Sequence, residues 1–309
     1  MMRTRFALSC CALLLSALAA AQDRPPVQKL AEGVWASPTA NGSNVGWFLL
    51  GDGVMVVDAG ADAAAAKQIM KDVAATAAKP VRWVVLTHAH GDHAGGARAF
   101  ADAGAEIIGQ ENSAPGLLFL LYPSAGSTPA ASRTGIVAVA DRLMFVGGTR
   151  RAEIYWLGTA HTRGDLIVLL PQEKILFSGD LAVNAVLPYL RSHDVDPKGW
   201  EQVLPRLAAA PVEKMVPGHG EIGPRAGIGD TLAYLRRVNQ LSTQLLQTRV
   251  PDEYIHIELR KPENRIENVA VTDDHVANVK AAIKHETERL AKPTPAVTPS
   301  PGPTPRPKG

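Results

Sequence analysis

Cysteine is almost missing from this chain. Its 309 residues hold two, Cys10 and Cys11, both near the start. A disulfide framework is therefore excluded, and beyond the first segment so is thiolate as a metal ligand. A dominant charge sign is also lacking: 32 Lys and Arg against 30 Asp and Glu leave a net +2. Nucleic-acid partners usually select a basic excess or stripe, so a small molecule is the expected partner instead. Long apolar runs are scarce too. The one present, Phe6 to Leu18, falls short of the ~20 residues that a membrane span needs.

That run has a different meaning. Arg3 and Arg5 precede it and Ala19-Ala20-Ala21 follow it, the order of a secretory signal peptide with cleavage after Ala21. The expectation is a secreted, periplasmic protein with no stable membrane insertion after cleavage, whose mature form has no cysteine. At the other end, the Pro- and Thr-rich stretch from Lys292 to Gly309 reads as a disordered tail. Between them, residues 22–291 read as one globular domain, and the chain as a whole has an ordinary balance of 46% hydrophobic and 20% charged residues.

A short polar leader, Gln22 to Gln28, opens the body of the chain. Gly33–Ser37, Val45–Leu50 and Val54–Asp58 then read as strands, the last two joined by the turn Gly51-Asp52-Gly53. Ala61–Ala78 reads as a helix closed by Pro80. Val81–Leu86 is a continuous apolar run of strand length, as expected where both faces are buried. A short helix over Ala94–Ala103 and a strand at Glu106–Gly109 follow. From Gln110 to Thr134 the pattern weakens, broken by Pro115, Pro123 and Pro129, and reads as an insertion near an active-site mouth. Strands resume at Ile154–Trp156, Leu166–Leu170 and Lys174–Phe177. Then come a helix over Pro197–Ala209, a strand at Lys214–Val216, and helices over Asp230–Thr248 and Asp273–Ala291.

The informative stretch is Thr87-His88-Ala89-His90-Gly91-Asp92-His93, directly after the buried strand. Side chains alternate along a strand, so His88 and His90 share an orientation if strand geometry persists through them. Gly91 permits a turn that redirects Asp92 and His93 toward a second centre. Gly95 and Gly96 let the following helix approach closely, and a helix start beside Asp92 favours its ionised form. Imidazole and carboxylate donors suit zinc, and also iron or manganese.

This pattern resembles the signature of the metallo-β-lactamase superfamily, His-x-His-x-Asp-His, and further matches follow in order. Gly158-Thr159-Ala160-His161 through Asp165 resembles the second metal motif, which implies that His161 joins His88 and His90 on a first metal. Leu176-Phe177-Ser178-Gly179-Asp180-Leu181 resembles the motif whose aspartate bridges two metals. Pro217-Gly218-His219-Gly220 resembles the last, with His219, Asp92 and His93 on a second metal. Val56-Val57-Asp58-Ala59-Gly60 resembles a supporting strand and turn, and Asp58 and Asp165 read as supports rather than ligands. The resemblance implies an α/β fold, a four-layer αββα metallo-β-lactamase sandwich, holding two Zn²⁺ per chain. Paired metals about 3.5–4 Å apart lower the pKa of a shared water enough to supply hydroxide near neutral pH. Asp92 would orient that nucleophile and relay its proton.

Departures among the ligands narrow the reaction. Cysteine-ligated members carry Cys where Asp180 stands here, and another di-zinc β-lactamase group carries serine there. Asp180 is more similar to glyoxalase-II-type thioesterases, lactonases and periplasmic metallohydrolases of quinoprotein and sulfur-oxidation systems. Leu187-Pro188-Tyr189, Asp196 and Trp200 resemble the periplasmic group. The implied activity is hydrolysis of an ester, lactone, thioester or amide. The alternatives are β-lactamase activity and a mononuclear iron enzyme of the persulfide-dioxygenase type. Tyr189 is a candidate catalytic contact, since a phenol can donate to a developing oxyanion. Trp47 and Trp156 read as core or pocket wall, and Arg191 and His193 as candidates for contact with an anionic substrate.

Overall fold

A computed structural model describes residues 26–122 and 135–291. Residues 1–25, which include the expected signal segment, residues 123–134 and the expected tail 292–309 lie outside the described residues. Strands β1 (Gln28–Ala31), β2 (Val34–Pro38), β3 (Asn44–Leu50) and β4 (Gly53–Val57) form an antiparallel meander. The helix α1 (Ala63–Ala77) then crosses to β5 (Val81–Val85), which runs parallel to β4. The Asp62 side chain caps α1 by accepting from the Ala64 and Ala65 amides at 2.9 and 2.8 Å. Its apolar face repeats as Ala66, Ile69, Val73 and Ala77, the spacing of one buried helical stripe. Helices α2 (Gly91–Ala94) and α3 (Ala97–Asp102), strand β6 (Glu106–Gln110), helix α4 (Ala114–Leu121) and strand β7 (Ile136–Val139) complete a seven-stranded sheet in sequential order.

The second sheet has six strands in the order β13-β12-β11-β10-β9-β8. They are β8 (Arg142–Gly147), β9 (Arg150–Trp156), β10 (Leu166–Leu170), β11 (Ile175–Gly179), β12 (Lys214–Pro217) and β13 (Gly223–Pro224). Helix α5 (Pro197–Ala208) connects β11 to β12 in parallel, and α6 (Ala226–Gln247), a short α7 (Ile255–Glu258) and α8 (Asp273–Ala291) follow.

Period-two alternation assigns each strand residue to a layer. Val34, Phe48, Met55, Val57, Val168 and Phe177 pack between the two sheets. Trp47, Val54, Val56 and Val84 point the other way, onto Ile69, Val73 and Phe100 of the helices. Leu169, Leu176 and Met215 face Trp200, Leu204, Leu235 and Val279 of α5, α6 and α8. Three apolar interlayers therefore hold four layers, helix–sheet–sheet–helix, as expected. Close approach between the sheets is a glycine property: a Cβ on Gly46 would meet the Phe177 ring at 2.1 Å.

Three local readings are corrected. Residues 110–122 are ordered rather than broken, because Pro115 sits in the first turn of α4, where its missing N–H costs nothing. The short helix read over Ala94–Ala103 is two helices divided at Gly95-Gly96. Strands β1, β7, β8 and β13 escaped notice; β8 is a sheet edge whose apolar residues Met144 and Val146 are exposed, so it shows no inward and outward alternation of polarity. Pro205 inside α5 is tolerated, and the helix runs on to Ala208.

One ion-pair cluster ties the last helix to α5. The Lys198 ammonium donates to the Glu286 carboxylate at 2.8 Å, and Arg289 donates to it at 2.7 and 2.8 Å. The hydrogen bond from Arg289 and then that from Lys198 hold the Glu286 carboxyl down at about 2, against the effect of burial. A depressed carboxyl contributes stability that is present above its unfolded value and is lost as pH falls toward the folded one. Glu286→Gln is therefore expected to lower the melting temperature at pH 7 relative to wild type, with the gap closing between pH 4.5 and about 2. A gap independent of pH over that window would show that the charge contributes nothing.

Candidate metal centre

The site forms where four loops meet at one end of the sandwich, after β5, before β10, after β11 and after β12. These loops are stitched together by backbone hydrogen bonds. The Leu166 amide donates to the Thr87 carbonyl at 2.7 Å, the Asn44 amide to Gly218 at 2.7 Å, and the Gly218 amide to Gly179 at 2.7 Å. Residues distant in sequence are thus held in fixed register.

Strand β5 stops at Val85, so His88 and His90 do not share an orientation by strand alternation. A buttress does that work. Asp58 is buried with φ of 66°, a left-handed conformation that Asp tolerates better than most residues. Its carboxylate accepts from the Thr87 amide at 2.8 Å, from Thr87 Oγ1 at 3.0 Å and from His93 Nδ1 at 2.9 Å. Thr87 Oγ1 in turn accepts from His88 Nδ1 at 3.0 Å. Further on, Gly95 and Gly96 allow the loop to lie against α1's approach: a Cβ there would meet the carbonyl oxygens of Ala61 and Ala59 at 2.0 and 2.2 Å.

The seven side chains singled out by motif come together in two groups. His88, His90, His161 and Asp180 form one; Asp92, His93 and His219 form the other, with the ligand atoms of each group within 4.8 Å of one another. Asp180 stands between them. Its Oδ2 lies 3.2 Å from His161 Nε2 and 3.7 Å from His219 Nε2, while its Oδ1 lies 3.3 Å from His93 Nε2. His219 Nε2 lies 3.0 Å from the Asp92 carboxylate.

These residues fit divalent cations. His90 Nδ1 and His161 Nε2 are 3.1 Å apart, and His93 Nε2 and His219 Nε2 are 3.2 Å apart. Nitrogens bound tetrahedrally at 2.0–2.1 Å to one zinc would be separated by about 3.3 Å. His88 Nε2 is buried with no hydrogen-bond partner, which a ligand nitrogen aimed at a cation would be. On four of the five imidazoles the opposite ring nitrogen has an acceptor that fixes the tautomer, Thr87 Oγ1 serving His88, whereas His161 Nδ1 is buried with no hydrogen-bond partner. His93 has Asp58, His219 has the Gly42 carbonyl at 3.2 Å, and His90 Nε2 has Ser192 Oγ at 3.1 Å, itself hydrogen-bonded to Asp194 at 2.7 Å. Such partners orient a metal-binding imidazole and raise its basicity.

Charge follows the same division. Burial pushes His88 well down, His161 down to about 4, and His90 down, so these rings are neutral and offer lone pairs. Burial opposes charge on His93 as well, but the Asp180 and Asp58 carboxylates outweigh it and raise that ring. Asp92 and Asp180 are held well below the carboxylate range: burial works against them, and the His219 and His93 contacts of Asp92, and the His93 and His161 charges around Asp180, prevail. Asp165 accepts from the Thr162 amide and hydroxyl at 2.7 and 2.8 Å, and burial pushes its carboxyl up. It supports the His161 loop and stays outside the cluster.

The centre opens into a cleft of ≈1240 Å³ whose walls include Asn112, Pro115, Gly116, Arg163 and Leu187. The 110–122 segment therefore does reach the mouth. Tyr189 lines the same cleft, half exposed, with the Arg191 guanidinium 4.5 Å over its ring. Arg191 and His193 line it too, although Arg191 is already paired to Asp274 at 2.7 Å. Trp47 is a core residue and Trp156 a partly buried one. Trp200 packs edge-on against His161 with ring centroids 5.2 Å apart, and Asp196 caps α5 through the Lys198 and Gly199 amides. Sequence reasoning missed Ser192 and Asp194, which carry no motif; their contact with His90 exists only in the folded loop.

Residues 38–219 match the family described as the metallo-beta-lactamase superfamily. The chain belongs to that superfamily and is an enzyme of its fold, a metallohydrolase. Among curated proteins it is similar to a metallo-beta-lactamase type 2 of Bacillus cereus, 28% identical over 193 residues, covering 60% of this chain and 69% of that one. Among solved structures it is similar to a metallo-beta-lactamase from Pontibacter korlensis, with 27% identity and a TM-score of 0.58, covering 68% of this chain and 98% of that one. It is similar also to the metallo-beta-lactamase FIM-1 from Pseudomonas aeruginosa in a mono-zinc form, with 27% identity, a TM-score of 0.53, and coverage of 69% and 96%.

Proposed function

We propose that this chain is an exported hydrolase that uses two zinc ions to cleave a small carbonyl compound, an ester, lactone, thioester or amide. The observation that carries the reading is the position of Asp180, one carboxylate facing both histidine groups. His88, His90, His161 and Asp180 would hold one cation, and Asp92, His93, His219 and Asp180 the other. When bound, such a pair supplies Lewis acidity that makes water nucleophilic near neutral pH and offsets charge on a developing oxyanion.

The chain's own groups do the rest. Asp92 is partly open to the cleft and stays ionised, placed to orient a water and accept its proton. Tyr189 presents a phenol on the cleft wall that can donate to an oxyanion. Zinc is supported by the donor set, which has three imidazoles in one group and two in the other, and by the mono-zinc form of a structural relative. Export is supported by the signal-like start of the sequence, and the periplasmic subfamily by Leu187-Pro188-Tyr189. Among the described residues no helix is long and apolar enough to cross a membrane.

The test begins with metal analysis of protein purified without added metal, followed by a hydrolysis panel of ester, lactone, thioester and β-lactam substrates before and after chelation. Two zinc per chain and chelator-sensitive hydrolysis, ranked by kcat/KM, are expected. One iron per chain with oxygen consumption would replace this reading with the redox one.

A further inference from the structure

The loop Leu187–Asp194 is a partition. On one side Leu187, Tyr189 and Arg191 line the metal cleft; on the other the same residues line a second cavity of ≈870 Å³, closed by Tyr234, Ile266 and Val269. Such a wall needs something to hold it. Among the described residues, Leu187 to Arg191 make no backbone–backbone hydrogen bond. Leu190 is buried in the core beneath, and its neighbours Tyr189 and Arg191 point to the cleft instead.

The missing partners come from helix α8. Asn278 is buried, and its amide spans the loop: Nδ2 donates to the Pro188 carbonyl at 2.8 Å, and Oδ1 accepts from the Leu190 amide at 3.2 Å. The second Nδ2 hydrogen goes to the Tyr234 hydroxyl at 3.0 Å, and Tyr234 donates onward to His275 Nδ1 at 3.0 Å. Burial pushes the Tyr234 phenol up to about 12 and His275 down, so both stay neutral in these roles. One turn earlier on the same helix, Asp274 holds Arg191 at 2.7 Å. Both residues that flank Tyr189 are therefore fixed by a side chain that reads backbone as a neighbouring strand would. Helix α8 lies outside the span 38–219 that matches the family.

We propose that Asn278 is the positioning residue of this partition, so that the C-terminal helix sets how far Tyr189 and Arg191 reach over the centre and hence which acyl groups the cleft accepts. The loop is also coupled to the centre itself, because Ser192 orients His90. Only the kinetic arm of the following test rests on the hydrolase reading.

The experiment compares zinc-loaded full-length wild type with Asn278→Leu and Asn278→Asp. The aspartate variant keeps the volume and the acceptor for the Leu190 amide but sets a carboxylate oxygen against the Pro188 carbonyl in place of the donating amide, so it breaks the same tether if the leucine variant does not fold. Hydrogen exchange is read in a peptide covering residues 183–195 and in one covering β10 and β11. Exchange in the loop peptide is expected to rise about tenfold or more while the strand peptide is unchanged, the mark of local rather than global opening. The ratio of kcat/KM for p-nitrophenyl benzoate to that for p-nitrophenyl acetate is expected to fall about fivefold, chiefly through KM, since only the aryl acyl group reaches the wall. Unchanged loop protection, or equal acceleration in both peptides, overturns the proposal. If wild type hydrolyses neither ester, the hydrolase reading is weakened, and the exchange result still decides the role of Asn278.

Discussion

Replacing Asp180 with alanine is expected to reduce hydrolysis by about a thousandfold or more and, on the proposed two-cation reading, to take one of the two with it. The reason lies in the distances. Within 4 Å the Asp180 carboxylate has the imidazoles of His88, His93, His161 and His219, drawn from both groups. Among the described residues no other acidic side chain lies between the two groups, since Asp92 pairs only with His93 and His219. Without Asp180, the five imidazoles and Asp92 would have to hold cations side by side unaided by a shared negative charge. The fold is expected to survive, because the backbone there is pinned independently by Gly218 donating to Gly179 and Leu181 donating to Ser178.

Three measurements separate loss of function from loss of structure in Asp180→Ala. Far-UV circular dichroism should match wild type. Metal per chain should fall. The rise in melting temperature on adding zinc should shrink, since a ligand stabilises only as far as it binds the folded state. Asp180→Asn keeps one carbonyl oxygen and should fall between the two. Two cations and undiminished hydrolysis in the alanine variant would sink the bridging role.

How much of this was legible before folding depended on how local each signal was. All seven clustered residues lie in motifs of a few residues, each at the end of a strand or in a glycine-containing turn, where loops carry chemistry in a layered fold. Asp58 was legible as a support but not as the residue that aligns His88 and His93, because Thr87 and His93 reach it across 29 and 35 positions. Asn278 gave no signal at all. A buried asparagine on an amphipathic helix looks like any polar residue until the loop 90 positions away is seen to need its amide. The strands not read in advance, the short β1 and β13 as well as β7 beside a Pro- and Ser-rich stretch and β8 at an open edge, were the ones with least patterning. Long-range pairing decides such elements, and a sequence window does not contain it.

The glycine ahead of His219 carries the second large effect. In Gly218→Ala the added Cβ would meet Asp180 Oδ1 at 1.9 Å, the Gly179 carbonyl carbon at 2.8 Å and the Asp180 amide nitrogen at 3.0 Å. The first two are shorter than real Cβ contacts and the third is tight, and two of the three atoms are backbone of the strand end that carries Asp180. Either the carboxylate swings away from the histidines or β12 shifts against β11 and takes His219, the next residue, with it. A misplacement of about 1 Å at a reacting centre costs on the order of a hundredfold in rate, and overpacking costs about 1–3 kcal/mol in stability. Gly218→Ala is therefore expected to lose about a hundredfold in kcat/KM and measurable zinc affinity while still folding. Gly229→Ala is the matched control. It lies within α6 with nothing near its Cβ, so the same substitution should leave activity intact and raise stability by up to ~1 kcal/mol through helix propensity. Equal activity in the two variants would show that the close approach of Gly218 to Asp180 is not what holds the bridging carboxylate in place.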